Sequence, residues 1–557
     1  MAEYIPAVSI LLFIISAVLC TSCVQKNEEK TSVGMNEKKH YRYIYNNDGT
    51  YTLSNALHNN RALTIDDVKD YVTIVSGTPI TTYAICSNSL MPYFRSRNER
   101  PIGCLSEKQK DAGTSSDGEN VGSYGEGVRA LEKQGTDIVE ICVNRAKELG
   151  LEAFITMRMN DLHFTNVSVR NPLEQSDFWL DHPEFRVGEH PGWHADGALN
   201  FANKEVREYK LNFIRELCER FNLDGLELDF MRFPVYFPFG KGKEYVDVMT
   251  DFVAGARKIS DEIGASRGRP ILLAVRIPSD LDYCLYKGFD IRAWIRLNLV
   301  DMITVSAFFF DNPLLPIRKF KESLGECPVP VYGNMDTGIY SLMPREPRTH
   351  GSFRASAAHL LSNGADGLYL FNYFFKDVSL MQEKGEKALP GEIICTEPDL
   401  ILLSDMENLP ALNGRNKLYT LGDNKVSEYE LNHASPVPVT LPKGAAETLT
   451  MAVYEDIPNK TPEQVTLFLR LSKAAGIAVS FNGKELKRQQ NENIVKSFRR
   501  DINLKKEEEV QVWQVPAEVL RNGNNTIIIQ SNNASSIELI RVELAVGYGP
   551  PVSNGYY

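Results

Sequence analysis

Glu227 and Asp229 lie two positions apart in the run Leu223-Asp224-Gly225-Leu226-Glu227-Leu228-Asp229-Phe230-Met231-Arg232-Phe233-Pro234. A strand opened by the Asp-Gly turn would put both carboxyl groups on one face and Leu226 and Leu228 on the other. Two inward carboxylates are costly to desolvate, so a chemical use is expected of them. The plainer alternative is a structural ion pair closed by Arg232. Two carboxyl groups flanking a pocket suit glycosidic bond cleavage: one protonates the departing oxygen, and the other acts ionised as nucleophile or base. Asp229 or Glu227, facing Asp336 from a later strand, would make such a pair. Glu227 and Asp229 alone stand only about 7 Å apart at Cα. One of them is therefore expected to tune the other.

The elements that must hold these groups are legible as alternating apolar runs. Strand-like segments fall at 41–45, 81–88, 152–160, 225–230, 271–277, 301–307, 329–335 and 367–373, with helical patterns between them. Eight such alternations predict an α/β fold, a (β/α)8 TIM barrel. The helix over 204–221 is the clearest, with Val206, Phe213, Leu217 and Phe221 on one stripe and Asn203 as its expected N-cap. Reacting groups in such a barrel collect at the C-terminal strand ends. There the sequence places a polar ring that includes Ser306, and supplies Asn88, Arg158, Asn160, Asp161, His163, Arg232, Arg276, Asn334 and Tyr373 as candidate substrate contacts.

Arg158, Arg232 and Arg276 at one mouth would suit a carboxylated or sulfated sugar, or else neutralise nearby acids. Trp179, Trp193, Phe230, Phe233, Tyr236 and Phe237 are candidates for flat faces under sugar rings, with loop packing as the alternative. The connection 161–203 is long and rich in Trp and His, and is expected to fold over the mouth; 89–136 is long and rich in Gly, Ser and charge. Asp161, His163, Asp181 and His182 lack a third ligand at a metal-binding spacing, so no metal is expected. Neither a phosphate-cradling Gly loop, a Gly-x-Ser-x-Gly nor a His-Glu-x-x-His is present. No cofactor is expected.

At 557 residues the chain is too long for one core. From about residue 395 the pattern changes to short alternating strands with Asn482-Gly483 and Asn522-Gly523 turns, which predicts a C-terminal antiparallel β-sandwich over 395–557 after a barrel at 39–394. A net charge of −11 argues against nucleic acid as partner. The apolar run from Ile5 to Cys20 is short for a membrane span and is followed by Thr21-Ser22-Cys23. It resembles a bacterial lipoprotein signal over 1–23, with Cys23 lipidated and 24–38 as a tether, although the first residues carry no Lys or Arg. Export to the periplasm or cell surface, with the lipid as the sole membrane contact, is the expectation. The remaining cysteines are expected to be buried small hydrophobes.

Asp224-Gly225-Leu226-Glu227-Leu228-Asp229-Phe230-Met231-Arg232-Phe233-Pro234 resembles the Asp-Gly-(Ile/Leu)-x-x-Asp-x-x-Arg-(Tyr/Phe)-Pro signature of the glycoside-hydrolase-like 10 family. Tyr45-Asn46-Asn47-Asp48 and Asp366-Gly367-Leu368-Tyr369-Leu370-Phe371-Asn372-Tyr373 support it, so the resemblance covers residues 40–375. It implies an exported barrel acting on carbohydrate, with Asp229 and Arg232 at its site. Glu227 departs from the pattern, where many relatives carry His or another residue. The expected activity is hydrolysis of a complex polysaccharide, acidic ones included. The rivals are a surface protein that binds glycan without cleaving it, and a lyase or deacetylase using His163.

Overall fold

The computed structural model describes residues 41–58, 60–111, 123–307, 314–336, 349–371, 373, 399–422, 436–489, 506–533 and 535–549. The expected signal segment, Cys23 and the boundary near residue 395 lie outside them.

All eight predicted barrel strands form. They are β1 (Arg42–Asn47), β2 (Thr82–Cys86), β3 (Glu152–Arg158), β4 (Gly225–Asp229), β5 (Leu272–Pro278), β6 (Met302–Ser306), β7 (Val331–Asp336) and β8 (Gly367–Phe371). Each pairs in parallel with its neighbours, and β8 returns to β1 to close the barrel. Period-two alternation decides which residues fill it. Leu226 and Leu228 turn out to the helices, while Ile44, Phe154, Ala274, Met302, Tyr332 and Tyr369 pack together inside.

The floor of the barrel is closed by a repeated device. Thr81, Asp224, Asp301 and Asp366 each stand just before an even-numbered strand. Their side-chain oxygens accept the main-chain N–H of Tyr43 (3.0 Å), Ala153 (2.9 Å), Leu273 (2.9 Å) and Val331 (2.8 Å), on the preceding odd strand. The three acids are also ion-paired, with Lys147 and Arg269, with Arg257, and with Lys321 respectively. The Asp224-Gly225 and Asp366-Gly367 pairs that read as turns thus also fix the start of two of the four strand pairs.

The helix Lys204–Arg220 buries Val206, Phe213 and Leu217 as its stripe requires, but Asn203 does not cap it with its side chain; that amide donates to the Asn200 carbonyl instead. Among the described residues no helix is long and apolar enough to cross a membrane. All six described cysteines are free.

The C-terminal region is a two-sheet antiparallel sandwich. One sheet orders β10 (Val439–Leu441), β18 (Ile537–Gly547), β12 (Gln464–Leu471), β16 (Glu509–Val515) and β15 (Arg488–Gln489), with β9 (Lys417–Leu421) also on β18. The other orders β11 (Ala446–Val453), β17 (Gly523–Ser531), β13 (Ile477–Phe481) and β14 (Lys484–Glu485). Asn482 and Gly483 adopt φ of 49° and 83°, the left-handed pair that a tight hairpin between β13 and β14 needs. The sandwich is braced on the barrel helix His350–Ser362, in which every residue from His350 to Ala358 is buried. Ala355 joins the sandwich core, and Asn363 donates to the Tyr454 hydroxyl (2.8 Å).

Candidate active site

Strand register sorts the inward side chains into layers, in which alternate strands contribute to the same level. One level holds Asn46, Thr156, Arg276 and Asn334 from odd strands. The next towards the mouth holds Cys86, Asp229, Ser306 and Phe371 from even strands; the next below holds Ala84, Glu227, Thr304 and Tyr369. Asp48, Arg158 and Asp336 stand above them all, at the strand ends. Contacts between the strands agree with this order. Arg276 reaches across to stack its guanidinium 3.9 Å from the centre of the Phe371 ring.

Asp229 is fully buried and meets only N–H donors. Arg276 binds it with two bonds, Nε to Oδ1 at 3.0 Å and Nη2 to Oδ2 at 3.1 Å. Oδ1 also accepts the main-chain N–H of Met231 (2.9 Å) and Arg232 (3.1 Å), which bends the chain as β4 ends. Phe233 follows with φ of 65°, a costly left-handed conformation for an aromatic residue. Arg276 is itself held by the Ser306 hydroxyl (3.0 Å).

Glu227 lies one inward position deeper. Its Oε1 accepts the Tyr369 hydroxyl (2.6 Å) and the Thr156 hydroxyl (3.0 Å), and Thr156 in turn accepts the Asn46 amide (2.8 Å). Burial, and then the neighbouring Asp229, push its carboxyl up to about 7, against the opposing pull of Tyr369, Arg276 and Thr156. Two neighbouring buried carboxyl groups therefore sit in unlike settings: a guanidinium and two main-chain N–H groups bind Asp229, and two hydroxyls bind Glu227. That difference is what allows unlike roles.

A second network lines the mouth beside β3. Arg158 is buried and donates to Asp161 (2.8 Å) and Asp48 (3.4 Å). Asp161 also accepts the ring Nδ1 and the main-chain N–H of His163, whose Nε2 lies 3.3 Å from Arg232. Burial works to raise the Asp161 carboxyl, but His163, Arg158 and Arg232 outweigh it and hold it well below the usual carboxylate range. Trp193 is 47% exposed and leans on Phe233, with ring centres 5.8 Å apart, and on His163 at 6.0 Å. It forms an aromatic ledge at the rim.

Three expected substrate contacts are used by the chain itself. Asn88 donates to the carbonyls of Ser89 and Arg158 and accepts the Arg158 N–H, so it splices β2 to β3. Asn160 ties the 161–203 connection to the turn after β4, through Leu199 and the Val235 carbonyl. Tyr373 turns its ring outward against Phe353, because β8 has already ended at Phe371. Asn334 sits two levels below the rim, and Asp336 ends β7, three strands round from Asp229.

Of the aromatic residues proposed as sugar faces, Trp179, Phe230, Phe233, Tyr236 and Phe237 are buried and pack the protein instead. Trp179 donates to the Gly197 carbonyl (2.7 Å) beneath Arg186, pinning the 161–203 connection beside the mouth. Sequence reasoning passed over Asp48, Thr156, Tyr369 and Phe371 as site residues. Tyr369 and Phe371 were findable, since they alternate inward on β8.

Among the described residues no cluster of three His, Cys, Asp or Glu side chains is arranged to hold a metal. No protein-family profile matches the chain, and no curated protein matches it in sequence. Solved structures with a similar course include glycoside hydrolases. The endo-β-1,4-mannanase of Thermotoga petrophila aligns over 92% of this chain and 98% of its own, at 12% identity and a TM-score of 0.44. The PgaB (BpsB) glycoside hydrolase domain of Bordetella bronchiseptica aligns over 66% and 99%, at 11% identity and a TM-score of 0.40. An α-L-fucosidase of Bacteroides thetaiotaomicron aligns over 89% and 94%, at 10% identity and a TM-score of 0.35.

Proposed function

We propose that the chain is a glycoside hydrolase acting on a polysaccharide, exported and held at a membrane by lipid on Cys23. The observation that carries this reading is the unlike pair on β4. Asp229 offers a carboxylate organised by donors, while Glu227 is pushed up to about 7 one position deeper. In this reading Asp229 serves as the ionised partner, Asp336 approaches from β7 as the opposed carboxyl, and Glu227 sets the charge beneath them. Arg232, His163 and Trp193 line the rim on which sugar rings would lie. Arg158 and Arg276 are matched by the chain's own Asp48, Asp161 and Asp229, so their charge gives no preference for an acidic sugar.

The test is release of new reducing ends from a panel of plant, algal and host glycans. The expected outcome is turnover on at least one glycan, with Asp336→Asn losing at least a hundredfold in rate, in line with the about 10²–10⁴-fold worth of a positioned acid or base. Asp229→Asn is a poorer probe, because it strands the buried Arg276 charge and costs about 3–5 kcal/mol of stability. Unsaturated sugar or released acetate as product would replace hydrolysis with lyase or deacetylase chemistry.

One observation favours a second reading, a barrel that binds glycan without cleaving it. Asp229 is wholly buried and doubly bound by Arg276, as a purely structural carboxylate would be. Glycan binding with no product from any member of the panel would select it.

A further inference from the structure

The barrel axis below the mouth contains polar groups that the protein does not satisfy. Asn46 Oδ1, Thr304 Oγ1 and Asn334 Oδ1 are all buried, and none has a hydrogen-bond partner among the described residues. Such orphaned atoms cost about 1–3 kcal/mol each when left unmet, and native interiors rarely leave them so. Other buried atoms without a partner lie elsewhere in barrel and sandwich, but these three fall close together by strand register. Asn46 and Asn334 belong to one level and Thr304 to the next below, so all three point at the same stretch of axis. Glu227 and Tyr369 share the level of Thr304, and Glu227 takes both of its protein hydrogen bonds on Oε1. No hydrogen bond from the described residues reaches its Oε2.

We propose that this stretch of the barrel axis holds internal water in a small chamber, bound by Asn46, Thr304 and Asn334 and hydrogen-bonded to Oε2 of Glu227. The three residues are then positioning residues that set the solvation, and through it the charge, of Glu227. The chemistry of the lining selects the ligand. Two amide oxygens and a hydroxyl call for a small donor, and water supplies two O–H groups while accepting from a protonated carboxyl; about one or two molecules fit such a role. A metal cation would share the level with the Arg276 guanidinium, a repulsion that water avoids. Groups facing Glu227 are Asp229 on its own strand, Thr156 on β3, Arg276 on β5 and Tyr369 on β8. The elevated affinity of Glu227 for its proton is consistent with a chamber that solvates it through only a few molecules. This inference deepens the role given to Glu227 above but does not depend on turnover.

The test combines a high-resolution crystal structure of the wild-type chain with an infrared titration of the buried carboxyl. Density for water within hydrogen-bond distance of at least two of the three oxygens is expected. Thr304→Val, which keeps the shape and deletes the hydroxyl, should shift the carboxyl midpoint upward by roughly one pH unit, and Thr304→Ser should restore it. Should Thr304→Val not fold, Asn334→Leu and the wild-type density serve in its place. A dry chamber, or a midpoint that ignores these substitutions, overturns the proposal even if the enzyme hydrolyses glycans. Density whose occupancy follows added potassium would instead assign a cation and equally overturn it.

Discussion

At the scale of single residues, Glu227 is where charge and burial are most at odds. Its carboxyl is moved from the ordinary 4.5 to about 7 by burial and by Asp229. The folded state therefore holds this proton more tightly than the unfolded chain does. The associated stability is fully present below about pH 4.5 and is lost as pH rises towards 7, a difference on the order of 3 kcal/mol. Glu227→Gln keeps the shape without the ionisation. The variant is expected to lose this acid-side advantage, so that chemical denaturation at pH 5 and pH 8 gives a smaller difference than in the wild type. An unchanged pH dependence would show that Glu227 does not titrate in this range. Asp229 shows why identity alone does not name a role. The residue types Asp and Arg were evident, but only the tertiary fold pairs Asp229 with Arg276 on the next strand rather than with the nearby Arg232.

Among the elements, the strand starts carry as much design as the strand ends. Asp301 accepts the Leu273 N–H and binds Arg257, so it joins β5, β6 and the helix Val246–Arg267 at one point. Asp301→Ala removes a hydrogen bond to a charged acceptor, worth about 1.5–3 kcal/mol. The expected result is an unfolding free energy lowered by that amount in chemical denaturation, with the mouth and any glycan binding unchanged; a fall below about 0.5 kcal/mol would mean the register is fixed elsewhere. Strand positions were readable because apolar alternation and Asp-Gly turns are local signals. The 161–203 connection was readable only as something ordered, because its anchor points, Trp179 on Gly197 and Asn160 on Leu199 and Val235, join residues far apart in sequence.

At the scale of the whole molecule, buried charge gathers where the barrel helix meets the first sandwich strand, with Arg354 donating to the Asn416 carbonyl. Arg354, in the barrel helix His350–Ser362, binds Asp405 (2.9 Å), which Arg415 also holds (3.0 Å). Behind them Lys417 and Glu455 form a fully buried pair at 2.8 Å, with Tyr419 and Tyr548 donating to Glu455. A helix buried on nearly all sides cannot face water when its cover is removed. Arg354→Met leaves Asp405 with only the half-exposed Arg415, and a loss of about 3 kcal/mol is expected. Calorimetry should then separate one unfolding transition into two. A single unshifted transition would mean that apolar contact alone couples the domains.

The sequence by itself determined the barrel, the sandwich and the inward direction of Glu227 and Asp229, because period-two alternation and turn residues act over a few neighbours. Tertiary structure alone decided which charges meet: Arg276 on Asp229, Tyr369 on Glu227, and Asn88 and Asn160 on main chain rather than at the rim. Those choices depend on how strand register stacks side chains across the axis, and register is a property of the closed sheet, not of any strand taken singly.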